Sequence, residues 1–145
     1  MKIGANMIYK ITIAIVFLFL ASACEADICK NPITTLEINN CLSLKMENAE
    51  KVLNKYFVES KNNYKEYPEV IAAISNSQNE WLEYRKAHCS SIYEIYKEGT
   101  IRGVMHGECM LGITYTRTHE LWENYLTYPD STPPILPEPK RSLNQ

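Results

Sequence analysis

Cysteines at positions 24, 29, 41, 89 and 109, with histidines at 88, 106 and 119, are the residues of this chain with the most chemistry to offer. His88-Cys89, His106-x-x-Cys109 and His119 could be read as zinc ligands. Zinc sites built on cysteine, however, use paired C-x-x-C spacings, which are absent here, so no metal is expected. A Cys-His nucleophile would need a free thiol, and an even number of bridged cysteines would leave none. Glu80, Glu83, Glu94 and Glu98 read as solvated helix-surface carboxylates. There is no G-x-S-x-G elbow, no Gly-rich phosphate loop and no H-E-x-x-H. We therefore expect no enzymatic activity and no cofactor.

The arginines pose a different question. Gln78, Trp81 and Arg85 share one helical stripe, and Arg117 lies on another. A guanidinium facing a core must find a carboxylate, carbonyls or a ring face, because leaving it unpaired is costly. Trp81 precedes Arg85 by four residues, the spacing for a cation–π contact within one helix. Glu37 and Glu50 are the expected ion partners. The arginines then act as clamps between helices; the competing reading makes them an anion or partner site.

Three helices must position these groups. Thr34-Thr35-Leu36-Glu37 has capping-box spacing. After it Ile38, Leu42, Met46, Ala49, Leu53 and Tyr56 or Phe57 recur at steps of three and four, an amphipathic helix fading near Asn62-Asn63. A second helix is expected from Pro68 to Glu98, with Gly99 as its C-terminal cap and Ile71, Ile74, Gln78, Trp81, Arg85, Cys89, Ile92 and Tyr96 on its stripe. A third follows Gly103 or Gly107, carrying Met110, Ile113, Thr114, Arg117, Leu121 and Tyr125. No alternating run demands a strand, so the fold class is all-α, a small antiparallel bundle. From Pro129 onward five prolines oppose helix formation, and residues 129–145 are expected to form an extended or disordered tail.

The N-terminus is expected to be removed. Lys2 and Lys10 precede the apolar run from Ile11 to Leu20, and Ala21-Ser22-Ala23-Cys24-Glu25-Ala26 supplies small residues for cleavage, which is the pattern of a secretory signal over residues 1–26. The run is shorter than the ~18–20 residues that span a bilayer. Cleavage after Ala26 leaves four cysteines, an even number suited to bridges in an oxidising compartment. Lipidation of Cys24 would also leave four, but Ala21 stands where lipoprotein signals place leucine. The mature domain, residues 27–128, is then exported to the periplasm or the medium. The whole chain carries a formal charge of −2, and loss of two lysines and one glutamate makes it −3. Such a balance excludes a typical nucleic-acid binder and mildly favours a cationic partner.

Taken in order, Gln78-x-x-Trp81-x-x-Tyr84-Arg85-x-x-x-Cys89, Thr34-Thr35-x-Glu37 followed by Cys41, Leu53-Asn54-x-Tyr56, and Cys109 followed by Thr114-x-x-Arg117-x-x-x-Leu121 resemble the LprI-like lysozyme-inhibitor family of small exported bacterial proteins. The resemblance spans about residues 29–121. It implies a helical, disulfide-stabilised envelope protein, and it implies a protein partner, with lysozyme foremost. Thr35, Glu37, Gln78, Trp81, Tyr84, Arg85, Thr114 and Arg117 are the motif positions.

Four cysteines permit three pairings. Cys29 with Cys41 and Cys89 with Cys109 are favoured, since the first two are close in sequence and the second two flank the turn between antiparallel helices; the other pairings stay open. If lysozyme is the target, the Gly-punctuated segment 99–107, with Arg102 and His106, is the expected finger for its cleft. The alternative is a periplasmic assembly module binding through exposed aromatics such as Tyr64, Tyr93 or Trp122.

Overall fold

The computed structural model describes residues 29–139, so the expected signal segment and Cys24 lie outside the described residues. Three helices follow one another: α1 (Thr35–Asn63), α2 (Pro68–Ile95) and α3 (Arg102–Tyr125). No strand occurs among the described residues. The fold is all-α, as expected.

Each helix starts for a local reason. Thr34 is the N-cap of α1, as the capping-box spacing indicates, and Thr35 is the first residue of the helix; the Thr34 hydroxyl accepts from the Glu37 backbone N–H at 3.2 Å. Glu37 reciprocates, its carboxylate accepting from the backbone N–H groups of Ile33 and Thr34 at 2.9 Å each. Two donors that a bare helix end leaves orphaned are thereby satisfied. Pro68 opens α2, where its missing N–H costs nothing.

α2 stops at Ile95, three residues before the expected Glu98, and Gly99 does not act as a left-handed cap, because no described glycine has positive φ. α3 begins at Arg102, so Gly103 and Gly107 lie inside it rather than before it. Their role is close approach. A Cβ on Gly103 would sit 3.1 Å from Asn39 Oδ1, and one on Gly107 would sit 3.2 Å from Leu42 Cδ1. The start of α3 therefore lies against the start of α1, and these two helices run parallel with α2 antiparallel to both.

α3 is central. It packs along α1 extensively and along α2 less so, while α1 and α2 barely touch. The apolar core sits between α1 and α3 in two layers. Leu42, Ala49, Val104 and Leu111 form one; Leu53, Tyr56, Leu121 and Leu126 form the other. Burying each leucine is worth about 1.5–3 kcal/mol, so this seam holds the two helices together without any polar help. The buried residues of α2 are of another kind: Ile74, Gln78, Arg85 and Cys89. A helix with that inward stripe is fastened mostly by directional bonds.

Both favoured disulfides are present. Cys29–Cys41 ties the segment before α1 to its second turn, and Cys89–Cys109 ties the last part of α2 to α3. Closing the second loop, 20 residues in separation, is worth about 3 kcal/mol in the chain-entropy picture.

The tail is irregular as expected, but over its described part it is docked rather than free. Ile135 N–H donates to Leu126 O at 2.9 Å, and Leu136 packs on the lower core layer.

The capping carboxylate makes an acid-limb prediction. Backbone hydrogen bonds from Thr34 and Ile33 hold Glu37 below the usual glutamate range. Its contribution is therefore present above the ordinary glutamate pKa and lost as pH falls through the lower folded value. Thermal melts followed by circular dichroism between pH 6 and 3 should show a shallower acid loss for Glu37→Gln than for the parent.

Candidate functional site

The buried polar stripe of α2 converges on one point between the three helices. Arg85, only 8% exposed, extends from α2 and donates from one terminal nitrogen to Thr114 Oγ1 of α3 at 2.8 Å. Its other terminal nitrogen donates to Glu50 Oε1 of α1 at 3.2 Å. Its guanidinium carbon lies 4.8 Å from the centre of the Trp81 ring, one turn earlier on the same helix. Thr114 completes the chain by donating to Met110 O at 2.7 Å. One arginine thus touches all three helices.

Arg117 works in the opposite direction, from α3 to α2. Its Nε donates to Gln78 Oε1 at 3.0 Å, one terminal nitrogen to Ser77 Oγ at 2.9 Å, and the other to Glu120 Oε2 at 3.2 Å. Of the two carboxylates expected as partners, Glu50 is used and Glu37 is not, because Glu37 is occupied in the α1 cap. The terminal nitrogens of both guanidiniums are turned inward onto protein groups, which is the geometry of a clamp, while Arg85 Nε is buried without a hydrogen-bond partner among the described residues. Ser77 and Glu120 went unnoticed in the sequence, although each adjoins a named residue at helical spacing.

Tyr84 of the motif points away from this centre. It is exposed and stacks on His88 with ring centres 5.5 Å apart. Tyr64 is half-buried edge-on to Tyr125, and Trp122 donates its indole N–H to Leu136 O, so neither is an open contact surface. Among the described residues no group of three His, Cys, Asp or Glu side chains could hold a metal ion.

The expected finger is shorter than its sequence suggested. Residues 102–107 are the first turns of α3, leaving only residues 96–101 as connector. Arg102 donates to Lys97 O at 3.1 Å and lies 6.0 Å from the Tyr93 ring, while His106 meets the same ring edge-on at 6.1 Å. Arg102 thereby braces the connector, and His106 packs on the last turn of α2. Gly99 N–H donates to Tyr96 O at 2.9 Å and tightens the connector further.

This end of the bundle displays large apolar side chains among the exposed charges of Glu94, Lys97, Glu98 and Arg102. Tyr93, Ile95, Tyr96 and Ile101 surround the connector, and Ile33 and Leu36 stand at the start of α1 on the same end of the bundle; all are exposed, Ile95 by 70%. Both disulfides lie at this end too. Large apolar side chains gathered on a covalently stapled tip are suited to a protein partner, because burial on binding is gained with little ordering cost.

The family model for lysozyme inhibitor LprI matches residues 29–121. That stretch contains α1, α2, both disulfides, both arginine clamps and most of α3. No curated protein and no solved structure matches the chain.

The clamp makes a stability prediction. Arg85→Ala should lower unfolding free energy by about 2–3 kcal/mol, less than for a fully buried pair because Glu50 is half-exposed. Arg85→Lys should not restore it, since an ammonium cannot serve two helices and stack at once. Urea denaturation of the oxidised proteins measures both, and an unchanged midpoint for Arg85→Ala refutes the clamp.

Proposed function

The chain belongs to the LprI lysozyme inhibitor family, and on that footing we propose that it is an exported protein that binds and occludes the cleft of a lysozyme-type cell-wall hydrolase. Family membership is the observation that carries this reading. Charge supports it: the mature chain would be acidic by three charges, and lysozymes are commonly cationic with carboxylates lining the cleft. Carboxylates in that cleft would repel a purely acidic finger; here Ile95, Tyr96 and Ile101 stand among Glu94, Lys97, Glu98 and Arg102, so the tip offers apolar contacts with cations beside them on an acidic body.

The stapled end is the surface we assign to the contact, with Ile95, Tyr96 and Ile101 as the inserted groups and Arg102 and His106 as their supports. Cys89–Cys109 holds the two helix ends that carry them. In this reading reduction loosens the tip before it unfolds the bundle. The same end would serve an envelope-assembly partner in place of a hydrolase, and the assay below separates the two. The compartment is the periplasm or the medium, consistent with bridged cysteines.

Purified oxidised protein should suppress lysis of cell-wall substrate by at least one lysozyme class at micromolar concentration. Ile95→Asp should weaken that inhibition about tenfold or more, the scale of losing one central contact of about 1.4 kcal/mol or above, with no change in melting temperature. Absence of inhibition across lysozyme classes removes the hydrolase reading for those targets and leaves the assembly module, to be sought by pull-down from envelope extract.

A further inference from the structure

The opposite end of the molecule is covered by the described part of its own tail. Four consecutive residues of the tail are held by the bundle. Ile135 N–H donates to Leu126 O at 2.9 Å, Leu136 O accepts from Trp122 Nε1 at 2.8 Å, Pro137 O accepts from the Tyr56 hydroxyl at 2.7 Å, and Glu138 Oε1 lies 3.0 Å from His119 Nε2. The side chain of Leu136 completes the set by packing against the layer formed by Leu53, Tyr56, Leu121 and Leu126.

This pattern answers the chemistry of its occupant. Residues 133–139 read Pro-Pro-Ile-Leu-Pro-Glu-Pro. Four of the seven lack a backbone N–H, so the segment offers carbonyls in excess of donors. A surface that recognises it must supply donors beside apolar ledges, which is how aromatic-lined grooves take proline-rich strands. Trp122 and Tyr56 supply them, a ring N–H and a hydroxyl aimed at successive carbonyls. Tyr56 is suited to the role, because burial pushes its hydroxyl above the usual tyrosine range and keeps the proton in place.

The link between receptor and strand is short. Residues 127–134 join the end of α3 to the strand, with an Asp130 turn in which the Thr132 N–H donates to Oδ1 at 2.8 Å, and prolines at 129, 133 and 134. Exchange of such a segment between identical chains re-forms between the two each bond broken within one, and shortening the hinge favours it. We propose that the base of the bundle is a receptor for a proline-rich strand, filled within each chain by its own residues 135–138, and that its occupant in trans is the same strand of a second copy, giving a tail-exchanged dimer.

The test uses the full oxidised chain. Deleting Ser131 and Thr132 shortens the hinge and should raise the dimer fraction at least tenfold in size-exclusion chromatography with light scattering. Leu136→Asp in that background should return it to monomer. A shortened chain that stays monomeric overturns the exchange. A second measurement covers misfolding of the deletion: a labelled peptide of residues 131–139 should bind the full chain carrying Leu136→Asp, bind the parent at least tenfold more weakly because its groove is filled, and lose affinity several-fold when Tyr56→Phe is added. A helical Leu136→Asp chain that ignores the peptide, or that binds a peptide itself carrying Leu136→Asp equally well, overturns the receptor. Peptide binding by a parent chain that stays monomeric even at millimolar concentration, where a short tether stops protecting the closed form, overturns the second copy as occupant in favour of a foreign proline-rich segment.

Discussion

Arg85 is the constraint on which the rest of the structure depends. α1 and α3 would associate through their leucine-rich seam alone, but α2 brings to the interface mostly a glutamine, an arginine and a cysteine. Such side chains contribute only in correct geometry, because a misplaced guanidinium in a dry interface costs more than its bonds return. The position of α2 is therefore specified sharply, by Arg85 to Thr114 and Glu50, by Arg117 to Gln78 and Ser77, and by the Cys89–Cys109 bridge. A greasy helix could slide along α3 by a turn at small cost; this one cannot.

That specification matters because the ends of α2 are where the surfaces of interest lie. Its C-terminal end presents Tyr93, Ile95 and Tyr96 beside Ile101, so the register of α2 on α3 sets the shape of the apolar tip. The tip is rigid by construction, stapled below and braced by Arg102 on Lys97 O. At the other end the bundle is closed by its own tail. The two ends thus use opposite devices: covalent bridges leave apolar groups exposed at one, and hydrogen-bond donors cover an apolar layer with chain at the other.

The readable parts of this architecture were those governed by neighbours in sequence. The α1 cap, the start of α2 at Pro68 and the core stripe of α1 depend on contacts within a turn or two, and each lies where the spacing placed it. An antiparallel connection favoured the pairing Cys89–Cys109, and the stripe shared by Gln78, Trp81 and Arg85 pointed to a polar interface. Gly103 and Gly107 misled for a physical reason. Glycine signals a break when judged by backbone freedom alone, yet here it sits within a helix because Asn39 and Leu42 occupy the space a Cβ would need. The finger expected around Arg102 and His106 shrank accordingly. Glu37 fills the capping role its spacing indicated and not that of arginine partner, because local backbone donors claim a carboxylate before a distant arginine can.

Composition and helical period determined that this is a small acidic all-α chain with arginines on inward stripes, since each of those properties is a count or a short-range spacing; the cysteine count favoured two bridges without fixing their pairing. Tertiary structure decided which acid meets which arginine, where α3 begins, that the exposed apolar groups collect on the stapled end, and that a proline-rich tail becomes part of the bundle. Those outcomes turn on residues far apart in the chain, such as Glu50 with Arg85 or Tyr56 with Pro137, whose meeting no periodicity encodes. They exist only once α3 lies between its neighbours and brings the donors of one segment to the acceptors of another.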